Sequence, residues 1–337
     1  MKWYKTLREN FYYHKGVKEK MEIVKKAPVR HERSLKERIT RDWKQNKYIH
    51  LLAIPMVAYF LVFCYGPMYG VIMAFQDYNI VDGISGSQFI GFDNFIRFFE
   101  SHYFWRLLKN TLLLSINNII WGFPAPIILA LLLNEVKNKH FKKAVQTVTY
   151  LPHFISAVVV CGMLHQFLSR DGFLTSILAS LGLVEQTNLL AIKEYFRTIY
   201  IASGIWQEIG WGTIIYLAAL SGVDEQLYEA AAIDGANRFK QLIHITLPSI
   251  MPTIVMLFIL RVGSVMSVGF EKVILLYNPQ TYETADILST YVYRYGLGGS
   301  FDYGYTTAIG LFTSVINFII VISANKISKK VSEVALW

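Results

Sequence analysis

Glu229-Ala230-Ala231-Ala232-Ile233-Asp234-Gly235-Ala236-Asn237-Arg238-Phe239-Lys240-Gln241-Leu242-Ile243-His244-Ile245-Thr246-Leu247-Pro248 is a polar, sharply turned stretch set between two apolar runs of membrane length. The alanines of 226–232 favour helix, and Gly235 interrupts it by permitting a turn at positive φ. A second amphipathic helix is expected over 237–245, and Pro248 opens the next apolar run. A helix, turn and helix held between two membrane helices is a rigid knob able to transmit a push.

The surrounding chain is built for lipid. Of its 337 residues 53% are hydrophobic and 17% charged, which falls outside the range of soluble domains. Six runs, at 49–75, 110–133, 148–168, 199–220, 250–270 and 303–323, are about 20 residues or longer. That is the length needed to cross roughly 30 Å of hydrocarbon. They lack the alternation of barrel strands, and bare backbone polar groups are costly in lipid, so they are expected to be helices. The expected fold class is an all-α membrane protein with six transmembrane helices.

Lys and Arg set the orientation, because cytoplasmic loops retain positive charge. Residues 1–48, 135–147, 222–246 and 324–337 hold 24 of the 33, and 76–106, 170–198 and 271–302 hold 7. Both termini and the Glu229 loop are therefore expected in the cytoplasm. The net charge of +9 belongs mainly to a basic tail near anionic lipid, which weakens any nucleic-acid reading. The first apolar run starts too late and runs too long for a signal-peptide core, and reads as an uncleaved anchor.

Three regions follow: a basic N-terminal extension at 1–47, a membrane domain at 48–325 with its loop at 222–248, and a cytoplasmic tail at 326–337. In the extension, Trp3, Tyr4, Phe11, Tyr12, Tyr13 and Trp43 fit helices at headgroup level as well as a solvated tail. The outer loop 76–106, with Gly83, Gly86 and Gly91 and then Phe89, Phe92, Phe95, Phe98 and Phe99, predicts a turn followed by a short amphipathic helix. Pro124 and Pro126 predict a kink in the second span. Cys64 and Cys161, both inside expected spans, read as packing residues.

Glu229-Ala230-Ala231, three residues, Gly235, nine residues, Ile245, one residue and Leu247-Pro248 resembles the "EAA" signature of ABC-importer permeases. The likeness extends over about 48–325. Residues 75–95, Leu151-Pro152-His153-Phe154-Ile155-Ser156 and the six-helix layout look like the sugar-importer branch, and most like permeases for oligosaccharides released from polysaccharides. The resemblance implies a type I ABC-importer permease fold in the bacterial cell membrane, forming half of a translocation pore with a second, homologous permease as a heterodimer. It implies two copies of an ABC ATPase gripping the loop through Glu229, Ala230, Ala231, Asp234, Gly235, Ala236, Phe239, Ile245, Leu247 and Pro248. An extracellular sugar-binding lipoprotein delivers the sugar. The chain has no Gly-x-x-x-x-Gly-Lys-Ser/Thr phosphate loop, so it is expected to bind no cofactor itself and to be no enzyme, with ATP and Mg held by the partner ATPase.

Ionisable residues inside spans are costly unless paired or facing a cavity, so Glu208 and Arg261 are candidates for function. Both lie near mid-span, and an ion pair between them is expected as a structural clamp, a gate or part of a sugar site. Trp206, Gln207 and Trp211 add aromatic faces and an amide suited to a pyranose, while Trp206, Gly204 and Gly210 suit helix packing equally. His153 and His165 have no evident carboxylate partner. Three rivals remain. A permease for another nutrient shares the loop. A secondary transporter predicts an ion site or inverted repeats, and a membrane enzyme on lipid-linked sugars predicts clustered carboxylates.

Overall fold

The computed structural model describes residues 35–332, with side chains from 42 to 330. The aromatic residues expected at the interface between Trp3 and Tyr13 lie outside the described residues. Two compact units divide between Tyr69 and Gly70. In the first, α1 (Leu35–Tyr59) is locally non-helical at Asn46 and runs on into a π-helical turn at Phe60–Tyr65. Asp42 accepts hydrogen bonds from Asn46 Nδ2 and His50 Nε2, and Trp43 stacks on the His50 ring with centroids 5.1 Å apart. Cys64 is exposed here, so the packing role expected of it is not met within the chain, whereas Cys161 is buried in the second unit.

The second unit is helical apart from a two-residue antiparallel pairing of β1 (Gln76–Asp77) with β2 (Gln88–Phe89). The outer loop forms the expected turn and helix. Gly83 and Gly91 take positive φ, and α2 (Asp93–Glu100) buries Phe98 and Asn94, whose amide donates to the carbonyls of Ala74 and Gln76. α3 (Phe104–Asn117), a π-helical turn at Asn118–Gly122 and α4 (Pro124–Glu135) then form one long run. The π turn stands where the kink was predicted, and the run stays continuous through it. Pro124 stands in the first turn of α4, where its missing N–H is harmless, and a Cβ at Gly122 would collide with the Asn118 side chain.

α5 (Lys139–Tyr150), a 3₁₀ turn at Leu151–Phe154 and α6 (Ala157–Phe167) replace the straight third span expected at 148–168. The helices bend by 98° between Phe154 and Ala157. Pro152 removes a donor, Ile155 is extended, and Ser156 caps α6 by accepting from the Val159 N–H. This Pro-to-Ser spacing is a helix stop followed by a helix start inside an apolar run.

After α7 (Phe173–Ser180) come α8 (Phe196–Ser221), α9 (Glu225–Ile233), α10 (Arg238–Gln241) and α11 (Leu247–Gly263). Short helices α12 (Phe270–Leu276), α13 (Tyr282–Ala285) and α14 (Leu288–Gly296) lead to α15 (Tyr303–Ser332), so the last helix extends beyond the span expected to end at 323. Four helical runs, Asp42–Phe75, Phe104–Glu135, Arg238–Gly263 and Tyr303–Lys330, are long and apolar enough to cross a membrane, and the bent pair makes five. α8, with 26 residues, spans about 39 Å at 1.5 Å each. Its Arg197, Gln207 and Glu208 lower its mean hydropathy relative to the others.

Between the spans, close packing rather than water exclusion joins helices, because lipid tails are as apolar as leucine. α8 carries the small residues that allow it. A Cβ on Gly210 would collide with the Thr149 carbonyl of α5, and one on Gly212 would approach Pro126 of α4 to 2.9 Å. Thr213 donates to the Ile209 carbonyl of its own helix at 2.6 Å, with the Pro126 carbonyl of α4 at 3.3 Å from the same hydroxyl. At the end of the helices away from the 222–248 loop, the fully buried Asp286 carboxylate meets the Arg294 guanidinium through two hydrogen bonds of 2.9 and 2.7 Å. Burial works to lower the Arg294 pKa, but Asp286 outweighs it and holds the group above its ordinary value.

Candidate functional site

Two features stand on the same pair of helices, α8 and α11: an exposed knob between them and a polar cavity at the middle of α8 and the last turn of α11. In the knob, Asp224 caps α9 by accepting from the Gln226 N–H, and Asn237 caps α10 by accepting from the Lys240 N–H. Gly235 has φ +76°, the left-handed region, and the turn is a Schellman closure. The Ala236 N–H donates to the Ala231 carbonyl at 2.8 Å and the Gly235 N–H to the Ala232 carbonyl at 3.1 Å. The second helix is α only over Arg238–Gln241. It continues as a π turn, Leu242–Thr246, which enters α11 without a break, with Leu247 and Pro248 in the first turn.

Two contacts brace the knob. Tyr228 and Thr246 share a hydrogen bond of 2.9 Å across its base, and Arg238 meets Glu135 at the end of α4 at 2.8 Å. Outward it presents Ile233, 86% exposed, and Phe239, 67% exposed, with Glu229, Ala230, Asp234 and Gly235 also exposed. Ala231, Ala236, Ile245 and Leu247 are half-buried beneath them. Nothing among the described residues covers these two apolar side chains.

The cavity measures about 450 Å³ and is lined from α3 and its π turn, the start of α6, α8, the end of α11 and the start of α12. That volume falls in the roughly 300–1,000 Å³ range of small-molecule sites. Its ionisable side chains are Glu208, Arg261, Glu271 and Lys272, and Gln207, Asn118 and Ser267 add neutral polar groups. Glu208 is twelve residues beyond Phe196, or about 18 Å along α8.

Glu208 and Arg261 share this cavity but not the expected ion pair. Glu208 Oε2 lies 3.0 Å from His153 Nδ1, and Arg261 Nη2 donates to Asn118 Oδ1 at 2.8 Å. Among the described residues no ion pair joins them. His153 therefore has the carboxylate partner that its sequence context did not reveal. The bend at 154–157 brings the imidazole back against α8, where Trp211 stacks on it with centroids 4.3 Å apart and planes 5° from parallel. Gln207 Nε2 donates to the Ile155 carbonyl at 2.9 Å, satisfying an acceptor freed at the break. Of the five residues suggested for a sugar path, Gln207, Glu208 and Arg261 line the cavity. Trp211 instead braces the break, and Trp206 lines a separate apolar groove with Val160, Phe167 and Phe173.

Sequence reasoning missed Lys272 and Glu271, which fall just past the expected end of the fifth span. They return to the cavity because the chain leaves the helical path after Gly263 and restarts at Phe270. Asn118 was missed too. The available signal was an asparagine four residues before Gly122 in an apolar run.

Residues 105–333 match the family model described as "Binding-protein-dependent transport system inner membrane component". The chain belongs to this family. It is a multi-pass inner-membrane component, and its relatives are permease proteins. It is 47% identical over 293 residues to the polygalacturonan/rhamnogalacturonan transport system permease protein YteP of Bacillus subtilis (strain 168), covering 87% of this chain and 91% of that one. Protein LplB of the same organism is 45% identical over 295 residues, covering 87% and 92%. Among solved structures, a chain of a bacterial alginate ABC transporter, in complex with alginate pentasaccharide-bound periplasmic protein, superposes with a TM-score of 0.81 at 44% identity, covering 89% of this chain and all of that one.

Proposed function

We propose that this permease is the transmembrane subunit of an ATP-driven, binding-protein-dependent importer of sugars, its cargo being oligosaccharides from polysaccharide or glycan breakdown. The observation that carries the reading is the knob at 222–248, a capped helix, a Schellman turn at Gly235 and a second helix continuous with α11, presenting Ile233 and Phe239 outward. The transport of polygalacturonan/rhamnogalacturonan and of alginate by its relatives supports a saccharide cargo.

In this reading the knob docks in a groove of an ABC ATPase, two copies of which bind ATP and Mg. A second permease forms the other half of the pore, and an external sugar-binding protein delivers cargo. The excess of Lys and Arg in 1–48 and the other loops on that side supports a cytoplasmic position for both termini and the knob. Closure of the ATPase pair draws the two knobs together. The same helices, α8 and α11, carry Glu208 and Arg261, so displacement of the knob moves opposite walls of the cavity and alternates its access.

The test is uptake by proteoliposomes holding this permease, its partner permease and the ATPase, supplied with the binding protein and a panel of labelled oligosaccharides. ATP-dependent accumulation of a saccharide is the expected result. Accumulation that runs on an ion gradient without ATP would overturn the reading.

A further inference from the structure

Among the described residues neither cation of the cavity forms an ion pair, although the Glu208 charge acts on Lys272. Lys272 Nζ is buried and makes no hydrogen bond among the described residues. It sits over the Tyr200 ring, 5.4 Å from its centroid, in space left open by Gly204, where a Cβ would stand 3.7 Å from it. Arg261 is hydrogen-bonded to a neutral amide, Asn118, and keeps donors to spare. Of the two carboxylates, Glu208 is engaged by His153, and Glu271 forms no hydrogen bond or ion pair among the described residues.

A buried ammonium without an acceptor is expensive, and removing one partner of a buried charge pair is costly because the other is left alone. An anion that reaches Lys272 during turnover supplies the missing acceptor. Arg261 offers the planar fork that matches a carboxylate, and Lys272, on a flexible four-carbon stem, offers a movable point charge. Gln207 and Glu208, one turn of α8 beyond Gly204, suit hydroxyls.

We propose that the cavity is a subsite for one uronate residue of the cargo, its carboxylate bound by Arg261 and Lys272 and its hydroxyls by Gln207 and Glu208. This rests on the importer reading above and names its substrate class. A neutral ring of the same shape leaves Lys272 unpaired, so the site discriminates by charge as well as shape.

The test uses the complete reconstituted importer with one binding protein throughout. It compares ATP-dependent uptake of a galacturonate trisaccharide and of its methyl ester, the neutral isostere. For Lys272→Met the ratio of acid to ester uptake is expected to fall at least tenfold from wild type, and Lys272→Arg is expected to restore most of it. If Lys272→Met does not accumulate in the membrane, Arg261→Gln serves for the same ratio. An unchanged ratio, or equal loss of both saccharides, would overturn the subsite while leaving the importer reading standing. Failure of the wild type to take up any saccharide would overturn the importer reading itself.

Discussion

Replacing Gly235 isolates the turn of the knob from every other property of the chain. Nothing lies within 4 Å of where its Cβ would stand, so a substitution there meets no steric obstacle, and its whole effect comes from φ +76°. An L-residue in the left-handed region costs about 1–2 kcal/mol, offset by about 0.4–1 kcal/mol from the less flexible unfolded chain. The net for Gly235→Ala is then about 1 kcal/mol. Gly235→Asn costs less, because asparagine tolerates this region, and Gly235→Val costs more, because its branched Cβ resists it. Since about 1.4 kcal/mol is a tenfold change in a local equilibrium, Val is expected to leave the Schellman turn open in most molecules, and Asn to leave it closed. The assay is ATP-dependent uptake normalised to protein in the membrane. Uptake is expected in the order Gly, Asn, Ala, Val, with membrane level unchanged. Normal uptake by Gly235→Val, or equal loss in Asn and Val, would refute the reasoning.

Gly210→Ala should destabilise the membrane domain by about 1–3 kcal/mol, because the methyl collides with backbone of α5, whereas Gly162→Ala meets nothing and should be neutral or mildly stabilising; melting in detergent of the two variants checks the opposite signs. Asp286→Ala strands the Arg294 and Arg106 guanidinium groups against a buried space and should cost about 3–5 kcal/mol, read as lower melting temperature and yield. On the outer surface, the Lys193–Glu283 hydrogen bond lowers the Glu283 pKa and raises that of Lys193. Its contribution is therefore present above the ordinary carboxylate pKa of about 4.3 and below the ordinary lysine pKa of about 10.4. It is lost as pH falls through the Glu283 value or rises through that of Lys193, so the small melting difference between wild type and Glu283→Gln should be seen at neutral pH and vanish at both extremes.

The knob was legible because its structure is local. Ala-rich helix, Gly235 and Leu247-Pro248 are signals of propensity and backbone geometry, and they fall where the Schellman turn and the start of α11 are found. The apolar runs were legible for the same reason, since length and hydropathy alone define them. The third span was misread because hydropathy continues through Leu151–Phe154 while the backbone turns; Pro152 followed by Ser156 was the overlooked break. The Glu208–Arg261 pairing failed for a tertiary reason. Equal depth along two helices does not fix azimuth, and each charge found a nearer partner in His153 or Asn118, delivered by the bend at 154–157 and by the π turn. Lys272 was invisible because the return of 270–276 to the cavity depends on long-range packing, with Val273 and Leu276 buried beside Leu190 and Phe196.

The docking role of the knob is tested most directly by affinity purification of the tagged permease from its native membrane in mild detergent. Wild type is compared with the double variant Glu229→Ala plus Gly235→Val, and every chain that travels with each is identified. A second permease and an ABC ATPase are expected with wild type, and the ATPase alone should be lost from the variant. Equal recovery of the ATPase with both forms would contradict docking through this loop, and wild type that purifies with no ATPase would contradict the importer account itself.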